Sequence, residues 1–135
     1  MIKLIVGHKG SGKTKMLVDM VSSAVKLSKG HVVCVEKNPK LTYDVDHAVR
    51  LLETDSYGVS GYDAFHGFLA GIAAGDYDVT DILVDATLRI GSRDYDELGT
   101  FLDKVNALSE KENISFVFTI SADADELPES VTKYL

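Results

Sequence analysis

Short runs of aliphatic and β-branched residues alternate with longer amphipathic stretches along nearly the whole chain. Ile2-Lys3-Leu4-Ile5-Val6 predicts a first strand. Leu17, Met20, Val21, Ala24, Val25 and Leu27 then recur at helical spacing, and Ser28-Lys29-Gly30 supplies a stop. His31 to Val35 predicts a buried second strand, which Glu36-Lys37-Asn38-Pro39-Lys40 breaks. Ala48 to Glu53 fits a short third strand or a helical turn, with the strand favoured, and Ser56 to Gly61 fits a loop. Ala64, Phe65, Phe68, Leu69, Ile72 and Ala73 form the stripe of a second helix. Gly67 and Gly71 weaken that helix by about 1 kcal/mol each relative to Ala, and close packing on a sheet would be a sufficient reason for them. Val79 to Val84 is a further strand, ending at Asp85. Asp94-x-x-Glu97 resembles an N-terminal capping arrangement for a third helix through Leu98, Phe101, Leu102, Val105 and Leu108. Ile114 to Ile120 predicts the last strand, and Pro128 suits the first turn of a short closing helix.

Strands alternating with helices imply parallel pairing with helices on both faces. The expected fold is therefore α/β: one domain over residues 1–135, three layers deep (αβα), with a mainly parallel sheet of about five strands. Composition agrees, at 45% hydrophobic and 26% charged residues in 135. No apolar run approaches the roughly 20 residues of a membrane helix, so no membrane insertion is expected. A lone cysteine, Cys34, sits in an apolar run and predicts an inert buried thiol. It excludes an internal disulfide, and a cytoplasmic location is expected. The formal net charge of −7 argues against a nucleic-acid partner.

The chemistry is concentrated at Gly7-His8-Lys9-Gly10-Ser11-Gly12-Lys13-Thr14, a complete G-x-x-x-x-G-K-[ST] pattern between a strand and a helix. In that context backbone N–H groups wrap a phosphate at the helix N-terminus. Gly7 and Gly12 permit conformations and approaches that a Cβ would obstruct. Lys13 can reach the terminal phosphates and take a catalytic part, and the Thr14 hydroxyl can ligate Mg²⁺. The candidate nucleotide contacts are Gly7, His8, Lys9, Gly10, Ser11, Gly12, Lys13, Thr14 and Lys15. Of these, His8 and Lys9 hold variable positions, as exposed spacers or modest phosphate contacts. ATP or ADP with Mg²⁺ is the expected ligand.

Asp85 closes the run Ile82-Leu83-Val84 at a strand's C-terminal end, where a parallel sheet opens onto its ligand crevice. There it can hold Mg²⁺ opposite Thr14. No Glu follows it, Asp85-Ala86-Thr87-Leu88 is not D-x-x-G, and no N-K-x-D occurs, so ATP is favoured over GTP by elimination. Glu36, just past the strand that follows the first helix, is the acid that could activate water. In these features the chain resembles the RecA-like branch of P-loop ATPases, through Gly7 to Thr14, Val33-Cys34-Val35-Glu36, Ile82 to Asp85 and Phe116 to Ile120. The resemblance implies that Glu36 is the catalytic base. It also implies that the last strand inserts between the Gly7 strand and the Asp85 strand. Ser121 stands where the family commonly carries a polar Asn or Gln sensor. The chain also looks like small stand-alone bacterial ATP-binding proteins, some labelled twitching-motility ATPases. The acidic and histidine boxes of such motors are not found here, and motor function is not inferred.

His31, His47 and His66 lack metal-ligand spacing, which implies no zinc site. Arg89 and Arg93 fit a solvated loop, with contact to a substrate or to a neighbouring subunit's nucleotide as alternatives. Asp123, Asp125, Glu126 and Glu129 form an acidic patch suited to a solvated face or a partner surface. Three functions fit. The first is a slow Mg-dependent ATPase, acting with a partner or in a homo-oligomer that supplies an arginine. The second is a nucleotide sensor with little turnover. The third is a small-molecule kinase, for which three arginines leave little material for a lid.

Overall fold

The computed structural model describes residues 1–41 and 44–135. Five strands, β1 (Ile2–Gly7), β2 (His31–Glu36), β3 (Arg50–Glu53), β4 (Val79–Val84) and β5 (Ser115–Ser121), form one sheet in the order β1-β5-β4-β2-β3. Every neighbouring pair is parallel. β5 thus lies between β1 and β4, where the resemblance places it. The helices are α1 (Lys13–Leu27), α2 (Tyr62–Gly75), α3 (Thr87–Ile90), α4 (Tyr95–Glu112) and α5 (Glu129–Thr132).

Strand residues alternate between two faces, and each face buries its own set. Val33 and Val35, Ile82 and Val84, and Phe116, Phe118 and Ile120 face α2 and α4. There Phe65 stacks on Phe101 at 4.8 Å between ring centres, and Phe118 meets both edge-on. Val32, Cys34, Leu83 and Val117 face the other way, onto Leu17 and Val21 of α1. Both faces are covered, so the strands read as near-continuous apolar runs. The three-layer αβα arrangement follows.

Local differences from expectation are instructive. Leu27, placed in the first stripe, is exposed because α1 ends there. The buried line of α2 is Tyr62, Phe65, Leu69 and Ala73, and Ala64 is exposed. Gly67 and Gly71 are exposed too, and a Cβ on either would meet nothing within 4 Å. Packing on the sheet is therefore not their reason. The close approach belongs to Gly99 of α4, where a Cβ would come within 2.6 Å of Ser130 Oγ. β3 begins at Arg50, two residues later than Ala48, and a 3₁₀ turn (Thr54–Tyr57) follows it. Asp94 caps α4, accepting from the amides of Asp96 and Glu97.

Candidate functional site

The chain leaves β1 at Gly7 and enters α1 at Lys13 through a loop that needs glycine twice. Gly10 has φ 85° and Gly12, the residue before the first helical turn, has φ 88°. At Gly7 the constraint is space, since a Cβ would overlap the Ser11 hydroxyl. Ser11 N–H donates to His8 O at 3.1 Å, which curls the loop over the helix start. No side chain caps α1 at Gly12. The N–H groups of the first helical turn, among them Lys13, Thr14 and Lys15, have no acceptor within the helix. They form a positive rim suited to an anion.

Lys13 is buried, and its ammonium donates to His8 O at 2.9 Å. Burial holds its pKa below the ordinary lysine value, and the nearby Asp85 charge opposes that shift. Thr14 Oγ1 lies 3.4 and 3.5 Å from the two Asp85 carboxylate oxygens. A hydroxyl and a carboxylate facing each other at this separation are the hard oxygen donors that Mg²⁺ takes.

Asp85 is oriented from behind by a residue that sequence reasoning passed over. Thr119 Oγ1, in β5, donates to Asp85 Oδ1 at 2.8 Å and accepts from Ala86 N–H, also at 2.8 Å. Thr119 is a polar residue inside the otherwise apolar run Phe116–Ile120, and it is buried. A polar break in a buried strand was the signal available. Ala86 itself adopts φ 63°, a left-handed conformation rare for a residue with a Cβ, and starts α3 directly after Asp85.

A cleft of about 810 Å³ opens above these residues. Lys9, Gly10, Gly12, Lys13 and Thr14 line one side, and Asp85, Ala86, Leu88, Arg89, Arg93, Lys40, Thr119 and Ser121 complete it. Arg89 and Arg93 thus face the cleft, and Thr87–Ile90 is a helical turn with three of its four residues buried. Arg89 is the exposed residue of that turn, and Arg93 is exposed in the bend before α4, so both are solvent-accessible as expected while also lining the cleft. Gly7, His8, Ser11 and Lys15 belong to the loop or its helix without lining the cleft. His8 reaches Asp123 at 3.9 Å, an exposed pair.

Glu36 also lies outside the lining. Its side chain is buried, with Oε1 accepting from the amides of Lys40 at 2.9 Å and Leu41 at 3.3 Å. Oε2 has no hydrogen-bond partner among the described residues. Burial raises its pKa, the two amide bonds oppose that, and the Glu53 and Asp85 charges add to it. The carboxylate therefore anchors the segment that carries Lys40 to the cleft wall.

Elsewhere, the Cys34 thiol is fully buried and pushed up to about 12, mainly by burial, so it is inert at neutral pH. His31, at the opposite end of the sheet from the cleft, pairs with Asp76 at 2.7 Å beside Asp78. The sequence separation of these three residues hid that pairing, which is itself a sufficient account of the cluster. Among the described residues no helix is long and apolar enough to cross a membrane. Comparison of the chain with protein-family models and with curated proteins returns no match.

Proposed function

We propose that this protein binds Mg-ATP in the cleft above Gly7–Thr14 and hydrolyses it slowly. The observation that carries the reading is the convergence of three features on one cleft. These are a loop with two left-handed glycines, a buried lysine, and a Thr14–Asp85 oxygen pair. The residues fit the ligand they would hold. The amides of the loop and first helical turn would take phosphate oxygens, and Lys13 would exchange its bond to the His8 carbonyl for one to the terminal phosphates. A buried ammonium with a single neutral carbonyl within 3.0 Å gains from such an exchange.

Thr14 and Asp85 would hold Mg²⁺, directly or through water, and the ion when bound would neutralise charge on the phosphates. Thr119 keeps the Asp85 carboxylate turned for that task through its 2.8 Å bond. Glu36 is the candidate base. One of its oxygens is fixed by two backbone amides, and the other is free but buried. Delivering it to an attacking water requires the Glu36–Leu41 segment to shift, which supports a low basal rate. The same anchoring favours a second reading, a nucleotide sensor with little turnover.

Calorimetric titration with Mg-ATP tests the binding claim. The parent should bind, and Lys13→Ala should weaken binding by on the order of 10²-fold or more, in line with losing a charge-assisted contact at each of two phosphates. Unchanged affinity in the variant would remove the proposal. An ADP-release assay then separates the ATPase from the sensor.

A further inference from the structure

The cleft carries more positive charge than its loop alone supplies. Lys9, Lys13, Lys40, Arg89 and Arg93 line it against the single acid Asp85, in a chain of net charge −7. Two of the chain's three arginines are thus gathered at one place. Among the described residues neither has a carboxylate within 4.0 Å. Cations concentrated in this way, without acidic partners, are suited to an anion.

Arg93 is also held in place. Its Nη1 donates to Ser121 O at 3.2 Å, and Ser121 is the register partner of Gly7, where the loop begins. One carbonyl takes one of five guanidinium donors, which leaves the fork available. The segment carrying Arg93 is clamped on both sides. Tyr62 Oη donates to Ser92 O at 2.6 Å, and the Tyr62 ring lies where a Cβ on Gly91 would sit. Asp94 N–H donates to Ser92 Oγ, and Asp94 caps α4. A cation preset by such a frame loses little entropy on binding. Arg89 sits on α3, which begins two residues after Asp85, and lines the same cleft.

We propose that Arg93, with Arg89 beside it, binds the terminal phosphate of the nucleotide from within the same subunit. This rests on the Mg-ATP reading above. In hydrolysis, water adds to the terminal phosphorus as the bond to the bridging oxygen breaks, giving ADP, inorganic phosphate and a proton. The Arg93 guanidinium neutralises charge on the transferred group through that step. No arginine from a partner subunit is then required, and turnover per subunit does not depend on protein concentration.

The test is calorimetry of Arg93→Gln, Arg93→Lys and Arg89→Gln with Mg-ATP and Mg-ADP, beside turnover measured over a dilution series. Arg93→Gln should weaken Mg-ATP by about tenfold or more, the size of one charge-assisted hydrogen bond, while Mg-ADP changes by less than about twofold. Arg93→Lys should recover part of the ATP affinity but little of the rate, because a point charge does not reproduce the fork. Arg89→Gln should show the same ATP-selective loss, smaller in size. If the parent binds both nucleotides and Arg93→Gln loses both alike or neither, Arg93 is not a terminal-phosphate ligand. Turnover per subunit that rises with concentration would place the arginine in trans and overturn the proposal. A parent that binds neither nucleotide would instead overturn the Mg-ATP reading beneath it.

Discussion

At the N-terminal end of the parallel sheet, the polar groups left over by the elements are paired. The Met1 amino group donates to Ser109 Oγ, and Ser109 Oγ donates to Ile114 O at 2.6 Å. His31 pairs with Asp76, and the Ser28 and Thr80 hydroxyls meet. The C-terminal end differs. Glu36 Oε2, Thr54 Oγ1 and Thr87 Oγ1 are the buried side-chain atoms without a partner among the described residues. They stand at or just past the ends of β2, β3 and β4 in turn. Among the described residues the left-handed ones Gly10, Gly12, Gly58, Gly61 and Ala86 lie in loops at this same end, against Asn113 alone at the other. One sheet, with an apolar core on each face, supports both ends. The contrast teaches that, among the described residues, unmet polarity and left-handed backbone collect at the end of the sheet where the cleft opens, and paired polar groups at the other.

A large effect on binding is expected at the proposed metal pair. Asp85→Ala and Thr14→Ala should lower Mg-ATP affinity by about 10- to 100-fold beyond any loss for metal-free ATP, as disturbed metal sites do. Calorimetry with and without Mg²⁺ reads this, and equal losses in both would mean that neither residue serves the ion. Thr14→Ala should change the melting temperature little, whereas Asp85→Ala also removes the acceptor of the buried Thr119 hydroxyl and should lower it.

Glu36→Gln sharpens the comparison in two ways. As the water-activating base, Glu36 should cost about 10²-fold or more in hydrolysis when neutralised, with ATP binding spared. A rate within about twofold of the parent would reduce Glu36 to a loop anchor. The second readout is stability. Burial raises the Glu36 pKa, so the folded state holds this proton more tightly than the unfolded chain does. Stability from that group is full below the ordinary carboxylate range and falls as pH rises through the raised value. Melting curves should therefore show Glu36→Gln gaining on the parent as pH rises above the ordinary carboxylate range, by the direction that linkage sets. A constant difference over that rise would contradict a buried, shifted carboxylate.

At the paired end the signs reverse. Ser109→Ala removes the acceptor of the Met1 amino group and the donor to Ile114 O, and should cost about 1–3 kcal/mol on chemical unfolding. Nucleotide affinity should not move. The smallest effect is expected at Ala86→Gly, where relief of a left-handed Ala offsets the added freedom of the unfolded chain to within about 1 kcal/mol. A loss well beyond that would show that the methyl group matters for packing.

Much of this architecture was legible in the residues. Apolar runs gave the strands, helical spacing gave α1, α2 and α4, and Asp94 announced a cap. Motif spacing put Thr14 and Asp85 on elements that meet. What stayed hidden depends on contacts between distant segments. The Thr119 bond to Asp85 needs β5 to insert beside β4, which no local pattern states. The turn Thr87–Ile90 is too short to show periodicity, so the helical position of Arg89 was hidden, and the bond from Arg93 to Ser121 joins segments far apart in sequence. Glu36 read as a strand-end acid that could activate water, and the fold of its own loop back over the carboxylate leaves no trace in spacing.

The most direct test of the account is the stability of the parent with and without Mg-ATP. If the strained end is a nucleotide site, ligand at about 100 times Kd should raise the unfolding free energy by about 2.7 kcal/mol. The shift should grow with ligand concentration and fall to about 0.4 kcal/mol or less in Lys13→Ala at the same concentrations. No shift in the parent, or the same shift in Lys13→Ala, would contradict the account.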